Sequence, residues 1–112
     1  MSANDKITRA IAFADVNLNV PGREVVCGNK KMVVKKTSFR LLALLLDNAD
    51  VVVSRKSIYK NVWGVEFDPG TKRIEVQLNY LRSVLLSLGS SVKIKTYRGK
   101  GLRLYQSIDS LC

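Results

Sequence analysis

Hydrophobic and polar residues alternate in short runs through the first third of the chain. Four such runs fall between residues 11 and 34, and Asp15, Pro21-Gly22 and Gly28-Asn29 interrupt them. Short alternating segments bounded by residues of this kind are typical of antiparallel strands joined by tight turns. The pattern therefore predicts an N-terminal four-stranded antiparallel sheet over residues 11–34.

The apolar residues then take up a helical spacing. Phe39 and the leucines at 41, 42, 45 and 46 share one face, which predicts a first helix over residues 37–48. Thr37 or Ser38 is the expected N-cap of this helix. The three valines at 51–53 predict a short buried connection to the next helix.

A second helix is predicted over residues 54–62. Ser54 is a suitable N-cap, and Gly64 is a suitable stop because glycine tolerates the left-handed backbone that ends many helices. A loop rich in glycine, proline and acidic residues follows at 64–71.

The third predicted helix, over residues 71–88, has two contrasting faces. Thr71 is its expected cap and Gly89 its expected end. One face is a continuous aliphatic stripe, whereas the rest of the surface is basic, amide, hydroxyl and aromatic, with Glu75 as its only acid. A merely solvated helix face usually carries paired acids and bases, so this surface is a candidate for binding. The residues roughly opposite the stripe are Lys72, Val76, Asn79, Tyr80 and Ser83, with Arg82 and Glu75 on one flank and Arg73 on the other. Gln77 belongs to the same candidate binding set.

Two further strands are predicted over residues 92–105, joined by Arg98-Gly99-Lys100-Gly101. The two glycines permit a tight hairpin, which would project Arg98 and Lys100 into solvent together. Two helices joined by a short segment and followed by a basic hairpin form the plan of a winged helix-turn-helix. The predicted fold class is therefore α+β. A single winged-helix domain is expected over residues 1–112, with a four-stranded N-terminal sheet, three helices and a C-terminal β-hairpin wing.

The charge of the chain indicates a polyanionic partner. Its 112 residues include 19 Lys and Arg against 9 Asp and Glu, a formal net charge of +10. Residues 30–60 and 72–105 each carry eight basic residues, against two acids and one acid respectively. Such density is typical of nucleic-acid binding, with a merely solubilising surface as the simpler alternative.

Composition excludes several other classes of protein. The chain has no His, and its two cysteines, Cys27 and Cys112, lie far apart in the sequence. We therefore expect no enzyme, no metal site and no cofactor. The N-terminus lacks a signal-peptide pattern, and the apolar run at 41–46 is far short of the ~20 residues that a membrane span needs. A cytoplasmic domain without membrane contact is expected.

Four short motifs in order resemble one known family. They are Val53-Ser54-Arg55, Val62-Trp63-Gly64, Leu81-Arg82 and the hairpin sequence Ile94 to Gly101. Together with the strand-rich start, they resemble the OmpR/PhoB-type effector domain of bacterial response regulators, over about residues 11–106. The resemblance implies transcription regulation by a bacterial, nucleoid-associated protein of a two-component system.

The resemblance also implies roles for particular residues. The third helix would be the recognition helix in the major groove, Arg82 would contact a backbone phosphate, and Arg98 would enter the minor groove. Loop 64–71 would contact RNA polymerase, and a homodimer would form on DNA. Trp63 would lie in the core, at its boundary, or against the DNA backbone.

Other candidate DNA contacts come from residue chemistry. Val76 is suited to a thymine methyl group, and Gln77 or Asn79 to an adenine. Arg55, at a helix start, is either a phosphate contact or a solvated residue. The complete set of expected DNA-binding residues is Arg55, Lys72, Arg73, Val76, Gln77, Asn79, Tyr80, Arg82, Arg98 and Lys100.

Two alternatives to sequence-specific binding of double-stranded DNA remain open. One is RNA binding, although the aromatic residues do not cluster into a stacking platform. The other is a winged helix that binds proteins and has lost DNA binding. An enzyme is the weakest alternative, because no nucleophile–base pair is present.

Overall fold

The computed structural model describes residues 11–107. Cys112 and both ends of the expected 1–112 domain lie outside these residues. The elements follow the predicted order, with one additional short strand after the first helix. They are β1 (Ile11–Phe13), β2 (Val16–Asn19), β3 (Glu24–Cys27), β4 (Lys30–Val33), α1 (Lys36–Asp47), β5 (Val53–Ser54), α2 (Arg55–Ile58), α3 (Arg73–Ser87), β6 (Val92–Tyr97) and β7 (Gly101–Gln106).

The four N-terminal strands form the predicted antiparallel sheet, in the order β1-β2-β3-β4. Val16 and Leu18 on β2 are buried, whereas Asn17 and Asn19 between and after them are exposed. Because alternate residues of a strand point to opposite faces, the sheet buries one face against the helices and exposes the other.

Helix α1 begins one residue earlier than predicted, and its expected cap is wrong. The N-cap is Lys35, in an extended conformation and without a side-chain capping bond. Ser38 lies inside the helix and is completely buried, because it belongs to the face that packs against α3. Its hydroxyl donates a hydrogen bond to Oε1 of Gln77 on α3, which satisfies the buried group.

The predicted buried connection at 51–53 is correct only at its last residue. Val51 and Val52 are 57% and 38% exposed, whereas Val53 is buried. Val53 belongs to β5, which pairs antiparallel with β7 and completes a three-stranded sheet in the order β5-β7-β6. A two-residue strand has no periodicity by which the sequence could reveal it.

Helix α2 starts and stops as predicted but changes its winding. The Ser54 hydroxyl accepts a hydrogen bond from the Ser57 N–H at 3.1 Å, so Ser54 is the cap. After Ile58 the helix continues as one π-helical turn, Tyr59–Trp63, and ends at Gly64 with φ 72°. The glycine therefore supplies the left-handed residue that the stop requires.

Helix α3 is confirmed with slightly shorter bounds than predicted. Its expected cap, Thr71, is wrong, because Lys72 is the N-cap and Thr71 lies one residue before it, with its hydroxyl accepting from the Arg73 N–H at 3.4 Å. The Gly89 N–H donates to the Leu86 carbonyl and the Ser90 N–H to the Leu85 carbonyl, both at 3.0 Å. This pair of bonds is a Schellman ending, with Gly89 left-handed at φ 71°. The predicted aliphatic stripe is buried, and it consists of Ile74, Leu78, Leu81, Leu85 and Leu88.

Asp15 joins the N-terminal sheet to the rest of the molecule. Its carboxylate accepts hydrogen bonds from the Ser90 hydroxyl at 2.7 Å, the Ser91 N–H at 2.9 Å and the Ser91 hydroxyl at 3.0 Å. Burial would raise the pKa of Asp15, but these hydrogen bonds outweigh it and hold the pKa below its ordinary value. The turn between β1 and β2 is thereby fixed to the segment between α3 and β6.

Strands β6 and β7 form the predicted hairpin. The Lys100 N–H donates to the Tyr97 carbonyl at 2.8 Å, and Gly99 within this turn has φ 75°. A β-turn with positive φ at its third residue favours glycine there.

Within residues 11–107, no helix has the length and apolar content needed to cross a bilayer.

Candidate nucleic-acid interface

One face of α3 is free of the core and rich in candidate contacts. Val76 is 61% exposed and Tyr80 is 36% exposed, although both side chains are largely apolar. The remaining exposed residues of this face are Lys72, Arg73, Asn79 and Ser83. We call this set the α3 outer face. It combines cations, which suit phosphates, with amide and apolar groups, which suit base edges.

Gln77 does not lie on the α3 outer face as the sequence pattern suggested. It is half-buried on the flank that faces α1, and its Oε1 accepts the hydrogen bond from the buried Ser38. This hydrogen bond stabilises the fold, because an unpaired Ser38 hydroxyl inside the core would be destabilising. The structure therefore places Gln77 between two helices, whereas Asn79 points to solvent.

Arg82 connects α3 to the wing. Its Nε and Nη2 donate to the carbonyl oxygen of Ile94 on β6, at 3.2 and 2.7 Å. Glu75, the only acidic residue of α3, is bound to Arg55 and not to Arg82. Arg82 is nevertheless exposed, and its Nη1 makes no hydrogen bond with any residue in 11–107. The side chain thus fixes one guanidinium edge to β6 and leaves a positive charge at the surface.

The wing and the start of α3 are neighbours. Arg98 and Lys100 are exposed at the tip of the hairpin. A cleft of about 130 Å³ is lined by Glu75 of α3, by Arg55 of α2 and by six wing residues that include Arg98. The cleft places the start of α3 and the tip of the wing on one side of the molecule.

Strand β6 contributes two cations that are not in the set of DNA contacts expected from the sequence. Lys93 and Lys95 are exposed, whereas Val92 and Ile94 are buried. The alternation Val-Lys-Ile-Lys was a visible signal that both lysines share one face of the strand. The Lys95 ammonium lies 5.4 Å from the centroid of the Tyr97 ring, so the wing surface is both basic and aromatic.

Arg55 is engaged within the protein rather than solvated. Its guanidinium binds the carboxylates of Asp68 and Glu75 at 2.9 and 2.7 Å. The hydrogen bond with Asp68 raises the pKa of Arg55, whereas burial of the guanidinium lowers it. The hydrogen bond with Glu75 raises it again, so the pKa of Arg55 lies above its ordinary value. The hydrogen bond from Arg55, aided by one from the Gly70 N–H, lowers the pKa of Asp68.

Trp63 is a half-buried aromatic at the edge of the core. Its ring centroid lies 5.1 Å from that of the buried Tyr59, with an angle of 35° between the rings. This position agrees with the predicted core or boundary role.

Among residues 11–107, no cluster of three or more His, Cys, Asp or Glu residues could hold a metal ion.

The profile of the family described as "Transcriptional regulatory protein, C terminal" matches residues 29–104. Two similar curated proteins are the heme response regulator HssR of Staphylococcus epidermidis and the response regulator MprA of Mycobacterium avium. HssR is 34% identical over 98 residues, which are 88% of this chain and 44% of HssR. MprA is 33% identical over 104 residues, which are 93% of this chain and 46% of MprA. The chain thus spans less than half the length of these relatives.

Two solved structures share the fold. The DNA-binding domain of CpxR from E. coli is 25% identical with a TM-score of 0.76, covering 88% of this chain and 97% of that one. The DNA-binding domain of Klebsiella pneumoniae RstA, crystallised in complex with the RstA box, is 25% identical with a TM-score of 0.72. That likeness covers 87% of this chain and 97% of the RstA chain. The chain therefore belongs to the family of C-terminal domains of transcriptional regulatory proteins, the OmpR/PhoB-type winged-helix effector domains.

Proposed function

We propose that this domain binds double-stranded DNA in a sequence-specific manner and thereby regulates transcription. The observation that carries the proposal is the cleft shared by Glu75, in the first turn of α3, and Arg98, at the cationic tip of the wing. A helix fits the major groove, and a narrow arginine-bearing hairpin fits the negative potential of the minor groove. The family membership and the RstA domain bound to its box support the same conclusion.

The proposed contacts follow the exposed chemistry. Lys72 and Arg73 at the start of α3, together with Arg82, would neutralise phosphates. Asn79 would read an adenine and Val76 a thymine methyl group, with Tyr80 beside them. Arg98 would enter the minor groove, and Lys100 would support it on the adjacent backbone. Gln77 and Arg55 belong to the expected set, but each is occupied within the protein and would reach DNA only after exchanging its partner.

Two further partners belong to the proposal. Loop 64–71 would contact RNA polymerase, and it exposes the acidic Glu66 and the 63%-exposed Phe67 for this purpose. A second copy of the chain would bind an adjacent half-site about one helical turn away, as pairs of helix-turn-helix domains do. The domain would act in the bacterial cytoplasm at the nucleoid.

The experiment is selection of binding sites from a pool of random DNA duplexes, followed by fluorescence anisotropy at fixed salt. We expect a defined consensus, and tighter binding to the consensus duplex than to a scrambled duplex of the same composition. RNA duplexes of matched length should compete poorly. The proposal is contradicted by selection without a consensus, or by RNA that competes as well as DNA.

A further inference from the structure

Arg55 joins three parts of the DNA-facing side of the molecule. Its Nε binds Asp68 Oδ2 at 2.9 Å, its Nη1 binds Glu75 Oε2 at 2.7 Å, and its Nη2 donates to the Thr71 carbonyl at 3.1 Å. The guanidinium carbon also lies 5.8 Å from the centroid of the Tyr59 ring. One residue of α2 thus holds both loop 64–71 and the first turn of α3.

A second contact strengthens the same junction. The Tyr59 hydroxyl lies 2.8 Å from Thr71 Oγ1 and 3.1 Å from the Thr71 carbonyl oxygen. Tyr59 itself is fully buried, so Thr71 is fixed to the core immediately before α3. The N-terminal end of α3 is therefore set from α2, through Arg55 and Tyr59. The N-cap Lys72 makes no side-chain capping bond, and the Thr71 hydroxyl accepts a hydrogen bond from the Arg73 N–H at 3.4 Å.

Glu75 is the acidic residue of α3 whose charge Arg55 balances. It is the only acidic residue in α3, it lies in the first turn, and it lines the cleft shared with Arg98. Its Oε1 is buried without a hydrogen-bond partner among residues 11–107, so Arg55 provides its counter-charge.

We propose that Arg55 is a positioning residue for sequence recognition, one that sets the orientation of α3 and couples it to loop 64–71. The inference rests on the proposed function, which supplies the DNA ligand. In this role Arg55 keeps its protein partners when DNA is bound. A movement of loop 64–71 that weakens the contact between Asp68 and Arg55 would therefore alter the orientation of α3, because the same guanidinium group binds Glu75.

Salt dependence separates this role from a phosphate contact. Removal of one phosphate contact makes the slope of log K against log salt shallower by about 0.9. Removal of a positioning residue leaves that slope unchanged and lowers the discrimination between the selected duplex and the scrambled one. A purely structural defect reduces the folded fraction, which lowers both affinities equally and leaves the discrimination intact.

The test uses Arg55→Ala and Asp68→Asn, each with a matched control. Lys56→Ala removes an exposed cation from the same helix, and Glu66→Gln removes an exposed acid from the same loop. We expect Arg55→Ala to lower discrimination by about tenfold with an unchanged salt slope, a size typical of coupling between sites. Lys56→Ala should leave the discrimination unchanged.

Asp68→Asn distinguishes a positioning role of Arg55 from a phosphate contact even if Arg55→Ala fails to fold, because the two roles predict different changes in DNA binding. If Arg55 were a phosphate contact, removing Asp68 would free it and raise affinity, as Glu66→Gln should do slightly. If Arg55 is a positioning residue, Asp68→Asn lowers discrimination instead. A shallower salt slope in Arg55→Ala, or unchanged discrimination in Asp68→Asn, overturns the inference. Failure of the wild-type domain to discriminate the two duplexes would contradict the proposed function itself.

Discussion

Single side chains, and in one place the absence of a side chain, determine where the wing lies. Gly101 is buried at the start of β7, where this strand meets β5. A β-carbon built on Gly101 would lie 2.0 Å from the Val53 carbonyl oxygen, well inside van der Waals contact. The glycine is thus required for the close approach of two backbones. Gly99, by contrast, has open space around it and is required only for its positive φ.

We therefore expect Gly101→Ala to destabilise the fold by about 3 kcal/mol, since overpacking against rigid backbone cannot be relieved by a rotamer change. Gly99→Asn is the matched control, because asparagine tolerates a left-handed backbone. Urea unfolding followed by the fluorescence of Trp63, the single tryptophan, measures both variants. Equal stabilities of the two variants would contradict the close approach.

Arg98 is the residue that is proposed to contact the minor groove. Arg98→Ala should weaken binding to the selected duplex by about tenfold, comparable to the loss of one good base-edge contact. Its exposed position predicts that the unfolding midpoint is unchanged. Fluorescence anisotropy and thermal unfolding of the same samples check both statements, and undiminished affinity would exclude the wing contact.

Individual elements differ in how far the sequence could predict them. The aliphatic stripe of α3 and the end of this helix at Gly89 follow from periodicity and glycine chemistry, and both are confirmed. The capping of α1 was mispredicted, because whether Ser38 faces solvent or α3 depends on packing between helices. The partners of Arg55 were also beyond prediction, since they are 13 and 20 residues away along the chain. Local patterns therefore predict elements, whereas contacts distant in sequence determine which side chains remain free.

The hydrogen bonds from Ser90 and Ser91 to Asp15 predict that the stability of the fold depends on pH. The pKa of Asp15 is lower in the folded protein than its ordinary value of 3.8, so folding favours the ionised form. Its stabilisation is complete above pH 3.8 and is lost as the pH falls through the lowered folded-state pKa. Asp15→Asn should cost about 2 kcal/mol at neutral pH, the typical size for hydrogen bonds to a charged group.

Urea unfolding of both proteins over a range of pH tests this pH dependence. The stability difference between wild type and Asp15→Asn should shrink once the pH falls below 3.8. A difference that stays constant through the acid range would show that the Asp15 charge does not contribute.

The whole chain carries a formal net charge of +10, so its affinity for DNA should depend on salt concentration. Five exposed cations are proposed to meet DNA: Lys72, Arg73, Arg82, Arg98 and Lys100. Each released counterion contributes about −0.9 to the slope of log K against log salt, so five such contacts predict a slope of about −4.5. Anisotropy titrations between low and physiological salt measure it. A slope near zero would mean that phosphates do not contribute to binding.

The most direct test of the two-groove proposal is dimethyl sulfate interference on the selected duplex. This reagent methylates guanine N7 in the major groove and adenine N3 in the minor groove, so one experiment reports on both. We predict interference at guanines that meet α3 and at adenines that meet the wing, with Arg98→Ala losing only the adenine signal. Interference confined to one groove, or the same pattern in wild type and Arg98→Ala, would contradict simultaneous binding by the recognition helix and the wing.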